Sequence, residues 1–214
     1  GTEKYPDVDE YSTYLKTNGG MSNAYTARDH TNYQFQVLPD ALDGALDRFS
    51  QFFIGPLFTE EYTAREVNAV NSEYQKNIMS DGWRQFRMNG LYAKEGHPAA
   101  KFNIGNLETL GDIDRTELIE FYNNHYSANR MGLALLSTHS LEEMELWARK
   151  YFSSIKNYNL PRNSHDPNIL DGKNTIRIVH VEPVKDIRKM DIIFELPSTR
   201  DMYESKPGRQ FGFV

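Results

Sequence analysis

The sequence has 214 residues, 39% of them hydrophobic, 25% charged and 13% aromatic, with a formal net charge of −6 and no cysteine. This is enough chain for one full domain and part of another, and the composition is that of a folded rather than a disordered protein. Disulfides, thiolate zinc sites and a cysteine nucleophile are excluded. No block of Lys and Arg suggests a nucleic-acid partner, and the longest apolar stretch, Met131 to Leu136, is too short to span a membrane.

A helical pattern runs from Pro6 and Asp7 through Tyr11, Tyr14 and Leu15 and stops at Gly19-Gly20. Ser22 to Thr26 reads as a short strand and Ala27 to His30 as a polar turn. In Thr31 to Val37, Tyr33, Phe35 and Val37 alternate with Asn32, Gln34 and Gln36, so a second strand should pair with the first as a hairpin. Leu42, Leu46, Phe49 and Phe53 place an amphipathic helix over residues 40 to 53, closed by Gly55-Pro56. Thr59 to Ser80 reads as a longer helix with Thr59 as N-cap and Glu60 and Glu61 in its first turn. Asp81-Gly82 interrupts it, and Trp83 to Leu91 resumes.

Residues 95 to 112 read as a loop rich in Gly, His, Pro and Asn. Thr116 to His125 is helical, Met131 to Leu136 an apolar strand, and Leu141 to Ile155 an amphipathic helix. Asn, Pro, Asp and Gly then mark a linker, placed at 161–174. Two strand-like runs follow, Thr175 to Val184 and Met190 to Leu196. The order predicts an α+β fold, a mostly antiparallel sheet covered by helices. The linker would separate residues 1–160 from residues 175–214.

Six histidines are present, at 30, 97, 125, 139, 165 and 180, and none stands four residues from another. Neither H-E-x-x-H nor H-x-x-E-H occurs, so the sequence contains no complete zinc motif. There is also no G-x-S-x-G and no phosphate-binding Gly-rich loop. Glu66 and Glu73 are spaced so that they differ by only about 20° around a helix axis, and Val70 and Asn77 share that face. One reading is a cleft wall on which one carboxylate binds a metal and the other orients it. The other is a solvated acidic face.

Trp83 and Phe86 form an aromatic pair, either an apolar subsite or, better supported by spacing alone, ordinary core packing. Ser22, Asn23, Ala24 and Tyr25 follow a Gly-Gly stop. Their strand could accept an extended peptide by β-augmentation, or it could be a plain hairpin strand.

Seven stretches carry a family resemblance: GTEKYP at Gly1, GMSNAYT at Gly20, DHTNYQFQV at Asp29, GALDRFSQFFIGPLF at Gly44, REVNAVNSEYQKN at Arg65, KFNIGNLETL at Lys101 and VKDIRKMDIIFELP at Val184. In this order they resemble the insulysin branch of the pitrilysin-like inverzincin zinc metallopeptidases, over nearly the whole sequence. The resemblance implies the insulysin/mitochondrial-processing-peptidase-like fold, a zinc cofactor and peptide substrates. It implies that Glu73 is the third zinc ligand and Glu66 a carboxylate supporting it. Ser22, Asn23, Ala24 and Tyr25 would be the edge strand that pairs with substrate, and Trp83 and Phe86 a subsite near the scissile bond.

In such proteins the H-x-x-E-H motif, with two zinc-binding His and the general-base Glu, precedes the stretch matching Gly1. Since the sequence opens on Gly1 and ends at Val214 without ceremony, we expect a fragment that neither holds catalytic zinc nor cleaves peptides alone. The alternative is a non-catalytic peptide-binding or partner subunit of the same fold. Family expectation further gives a cytosolic protein, without membrane or nucleic-acid partners, in which the complete protein could form homo-oligomers.

Overall fold

A computed structural model describes residues 1–166, 168–170, 176, 178–194 and 204. Among these residues, seven α-helices and two strands follow in the order α1 (Glu10–Thr17), β1 (Met21–Thr26), β2 (Thr31–Gln36), α2 (Leu42–Gln51), α3 (Glu60–Asn77), α4 (Asp81–Leu91), α5 (Leu107–Leu110), α6 (Arg115–His125) and α7 (Leu141–Phe152). Short 3-10 turns at Pro39–Ala41, Pro98–Ala100 and Ala128–Arg130 join them. The chain divides into two compact units, Gly1–Asn68 with Thr109–Arg162, and Ala69–Glu108 with the described residues from Asn163 onward. The α3 helix runs through the division without a break.

The first unit is built on α2. Its apolar residues recur on one stripe, and Leu42, Ala45, Leu46 and Phe49 are buried, Leu46 completely. Leu42 and Leu46 meet Tyr151 of α7, with Phe35, Val37, Leu135, Trp147 and Phe152 packed around them. Aromatic rings extend this core. Phe49 lies 5.0 Å from Phe35 of β2 and 5.3 Å from Phe53, and Tyr11 of α1 meets Phe52 edge to face at 5.0 Å. Such edge-to-face contacts favour the ring quadrupoles beyond simple burial.

The turn from α1 into the hairpin follows from Gly19-Gly20. Gly19 has φ 67°, and its N–H and that of Gly20 donate to the carbonyls of Lys16 and Leu15 at 3.3 and 2.7 Å. This is a Schellman closure, which spends otherwise orphaned carbonyls and favours Gly at the left-handed position. Gly20 is needed for another reason: a Cβ there would lie 2.3 Å from the carbonyl oxygen of Gln36.

The β1 and β2 strands pair antiparallel, with Ser22 opposite Phe35 and Ala24 opposite Tyr33. Small residues on β1 thus make room for aromatic rings on β2, on the face where Phe35 meets Tyr11 and Tyr33 meets Phe53.

Local caps fix the later helices. Asp114 and Glu117 form a reciprocal capping box at the start of α6, and Ser140 and Glu143 another at the start of α7. Ahead of α3, Phe58 is held at φ 46°. Its ring contacts Tyr122, and Arg115 donates twice to the carbonyl of Leu57 at 3.2 Å.

The second unit gathers the C-terminal half of α3, α4 and the segments beside them. Tyr74 meets Phe102 edge to face at 5.5 Å, and the amide of Leu107 donates to Asn71 Oδ1 at 3.2 Å. Arg87 donates to the carbonyl of Ala100, Lys94 pairs with Asp166, and His97 accepts from the amide of Ala99. His97 therefore has a structural task in its loop. Asp81 accepts from the backbone amides of Val184 and Lys185 at 2.8 and 3.1 Å, tying that segment to α4.

Four expectations are corrected. Met131 to Leu136 forms no strand: Leu135 packs on the core while Leu136 is 98% exposed. An apolar run becomes a strand only where a neighbouring strand takes up its backbone groups, and no strand among the described residues pairs with this one, the Met131 amide donating instead to the Ala128 carbonyl at 3.1 Å in a turn. The described parts of Thr175 to Val184 and Met190 to Leu196 likewise form no strand, and the Val184 amide goes instead to the Asp81 carboxylate. Residues 175, 177, 195 and 196, like 167 and 171–174 of the linker, lie outside the described residues. The only sheet among the described residues has two strands, with an isolated antiparallel bridge between Thr2 and Pro56. The class is α+β as expected. Finally, the break between α3 and α4 falls at Ile78 to Ser80 rather than at Asp81-Gly82, which are already the first residues of α4.

Candidate functional site

Glu66 and Glu73 stand on one continuous helix, as their spacing requires. Both side chains are exposed, and neither has a hydrogen-bond or ion-pair partner among the described residues. The face changes character along its length. Val70 is half-buried, and Asn77, one turn beyond Glu73, is only 7% exposed. The Nδ2 of Asn77 is buried without an acceptor.

Two free carboxylates offer hard oxygen donors of the kind zinc accepts. The donor set is nonetheless incomplete, because no three His, Asp or Glu side chains among the described residues converge as a metal group. The described residues fit one corner of a zinc site and not a whole one.

The first unit carries the candidate peptide edge. All six β1 residues are exposed, and β1 has no strand partner other than β2 among the described residues. Ser22 and Ala24 share the face of Phe35 and Tyr33, whereas Asn23 and Tyr25 point to the opposite side. The N–H of Ala24 donates to Asn23 Oδ1 at 2.9 Å, so a side chain occupies a donor that an added strand could use. Tyr25 meets His30 edge to face at 5.7 Å, and His30 pairs with Asp29 at 2.7 Å.

In the second unit, Trp83 and Phe86 meet edge to face at 5.8 Å on α4. They are 42% and 38% exposed, so they are not core residues, the reading their spacing alone favoured.

Sequence reasoning did not single out the tyrosines beside the hairpin. Tyr33 and Tyr126 share a short hydroxyl–hydroxyl hydrogen bond, and Tyr126 stacks on Tyr122 at 5.0 Å. Burial raises Tyr122 to about 12, with a smaller contribution from Tyr158, and burial and the bond to Tyr33 raise Tyr126 too. Both phenols stay protonated at neutral pH. The i, i+4 spacing of Tyr122 and Tyr126 on α6 was the available signal.

Two family profiles match this sequence. The Insulinase (Peptidase family M16) profile covers residues 1–94, and the Peptidase M16 inactive domain profile covers residues 112–210. Both describe domains of one peptidase class. The chain belongs to peptidase family M16, the insulinase family. A Schizosaccharomyces pombe protein whose name places it among zinc proteases is 46% identical over 97% of this chain and 22% of its own length. The insulin-degrading enzyme of Drosophila melanogaster is 45% identical over 97% of this chain and 22% of its own. The crystal structure of pitrilysin aligns with a TM-score of 0.75 and 34% identity, over 79% of this chain and 19% of that one. The chain thus spans about a fifth of the length of the relatives it matches. No helix among the described residues is long and apolar enough to cross a membrane.

Proposed function

We propose that this sequence is part of a zinc metalloendopeptidase that degrades peptides, with Glu73 as one zinc ligand and Glu66 as a supporting carboxylate. The observation that carries this reading is the pair of exposed, unpartnered carboxylates on α3, within the REVNAVNSEYQKN stretch. Zinc, when bound, would polarise a peptide carbonyl and activate a water molecule. The chain's own residues orient the partners. The β1 edge at Ser22, Asn23, Ala24 and Tyr25 receives an extended peptide through its backbone, and Trp83 and Phe86 offer an apolar surface to a substrate side chain. In this reading residues 1–160 belong to one peptidase domain, 161–174 to a linker and 175–214 to the start of a related domain. The setting is cytosolic, and the complete protein can self-associate.

A catalytic zinc site needs three protein ligands and an open position. With no three-ligand group among the described residues and no H-x-x-E-H in the sequence, residues 1–214 alone neither retain catalytic zinc nor cleave peptides. That same observation favours one second reading, a non-catalytic peptide-binding or partner subunit of the same fold.

The deciding experiment is Glu73→Gln in a full-length protein containing this sequence. Near-complete loss of bound zinc and of chelator-sensitive peptide cleavage is expected. Unchanged zinc content would remove the ligand assignment. A full-length protein that binds peptide but neither binds zinc nor cleaves would establish the second reading.

A further inference from the structure

Asn77 is the one residue of the α3 face that is both buried and unsatisfied. Its Nδ2 has no acceptor although the residue is 7% exposed. Buried polar groups are nearly always paired, so such an atom marks a missing partner. Three observations point to which partner. Asn77 follows Glu73 by four residues on the same continuous helix, the spacing at which side chains meet. Helical side chains lean toward the N-terminus, so the Asn77 amide is directed over the turn that carries Glu73. The Glu73 carboxylate itself has no hydrogen-bond or ion-pair partner among the described residues.

We propose that Asn77 is a positioning residue for Glu73, its side-chain amide donating to one carboxylate oxygen while the other is left to the metal. This rests on the assignment of Glu73 as a zinc ligand made above. The chemistry suits the task. A carboxylate has more acceptor sites than one metal bond uses, and an amide N–H can fill one without bringing a competing positive charge. A lysine or arginine there would repel the cation. The buried position also restricts the Asn77 rotamer, so the amide is ready to take one Glu73 oxygen as the metal takes the other.

The test uses a full-length zinc-loaded protein containing this sequence and compares Asn77→Leu with Glu73→Gln. Leucine matches the shape of asparagine and removes both polar atoms. Zinc affinity, measured by competition with a chelator, should fall roughly 10-fold in Asn77→Leu, while the Tm of the metal-free protein stays level or rises. A purely structural asparagine would shift that Tm and leave zinc affinity alone. If Glu73→Gln loses zinc but Asn77→Leu binds it as the unmodified protein does, the positioning role is wrong and the ligand assignment stands. If Glu73→Gln keeps its zinc, the ligand assignment falls and the positioning role with it. A crystal structure of the unmodified zinc-loaded protein gives a test independent of either variant. Nδ2 should lie about 3 Å from a Glu73 carboxylate oxygen, and a bond from Nδ2 to any other acceptor would overturn the proposal.

Discussion

Tyr14 of α1 lies against the backbone of α2 at Gly44, so closely that a Cβ on Gly44 would stand 2.3 Å from its hydroxyl oxygen. That hydroxyl donates to the carbonyl of Ala41 at 3.0 Å, and the guanidinium of Arg48 covers the ring at 4.0 Å while also pairing with Glu10. Gly→Ala inside a helix ordinarily stabilises it by up to about 1 kcal/mol. Here the added methyl must displace Tyr14 from its hydrogen bond. Gly44→Ala should instead destabilise by about 1–3 kcal/mol, seen as a lower urea midpoint. A stabilised variant would mean that Tyr14 can swing away freely.

Leu46 is completely buried where α2 meets α7 and the hairpin. Leu46→Ala removes its methyl contacts and leaves a cavity that the surrounding rings cannot readily close. The expected cost is about 2–5 kcal/mol, measured by denaturant unfolding. A loss well under 1 kcal/mol would show that α2 is not the centre of this core.

Acid sensitivity should centre on Asp47. Burial pushes its carboxyl up, but hydrogen bonds from Lys4 at 2.6 Å and Tyr5 at 2.7 Å, with the charges of Lys4 and Arg48, hold it below the ordinary carboxylate range. A folded-state value below the unfolded one contributes stability that is complete above about pH 4 and is lost as pH falls through the folded value. Asp47→Ala should therefore be less stable at pH 7 by about 1 kcal/mol, and the gap should close below pH 4. A gap that stays constant down to pH 2 would contradict the assigned partners.

The hydroxyl of Ser140 accepts from the amide of Glu143 at 3.2 Å at the start of α7. Ser140→Ala should cost about 1 kcal/mol. Backbone amide exchange in the first turn of α7 should accelerate more than in α2, and uniform acceleration across both helices would argue against a local cap.

What was legible in the sequence was whatever a short window determines. The Gly19-Gly20 stop, the second strand of the hairpin, the stripe of Leu42, Leu46 and Phe49, and the acidic first turn of α3 each act within a few residues and appear in place, although in the strand Phe35 turns inward while Tyr33 is 38% exposed. Pairing over longer distances was not legible. Met131 to Leu136 has strand composition, but strandhood depends on a neighbour that composition does not supply. The shared face of Glu66 and Glu73 followed from helical geometry, whereas their lack of partners and the buried orphan amide of Asn77 depend on packing from other segments. Trp83 and Phe86 show the same limit, since spacing fixes that two rings touch and not whether anything covers them.

The fit of Ser22 and Ala24 beneath Phe35 and Tyr33 has a consequence for how this hairpin can vary in length. Inserting or deleting one residue inside Met21–Thr26 would rotate the strand's remaining side chains by half a turn, bringing Asn23 and Tyr25 against the aromatic face. The four residues Ala27 to His30 carry no such constraint, closing with a bond from the Ala27 amide to the His30 carbonyl at 2.8 Å. Length changes among natural variants should therefore collect in this turn and spare the strands on either side of it.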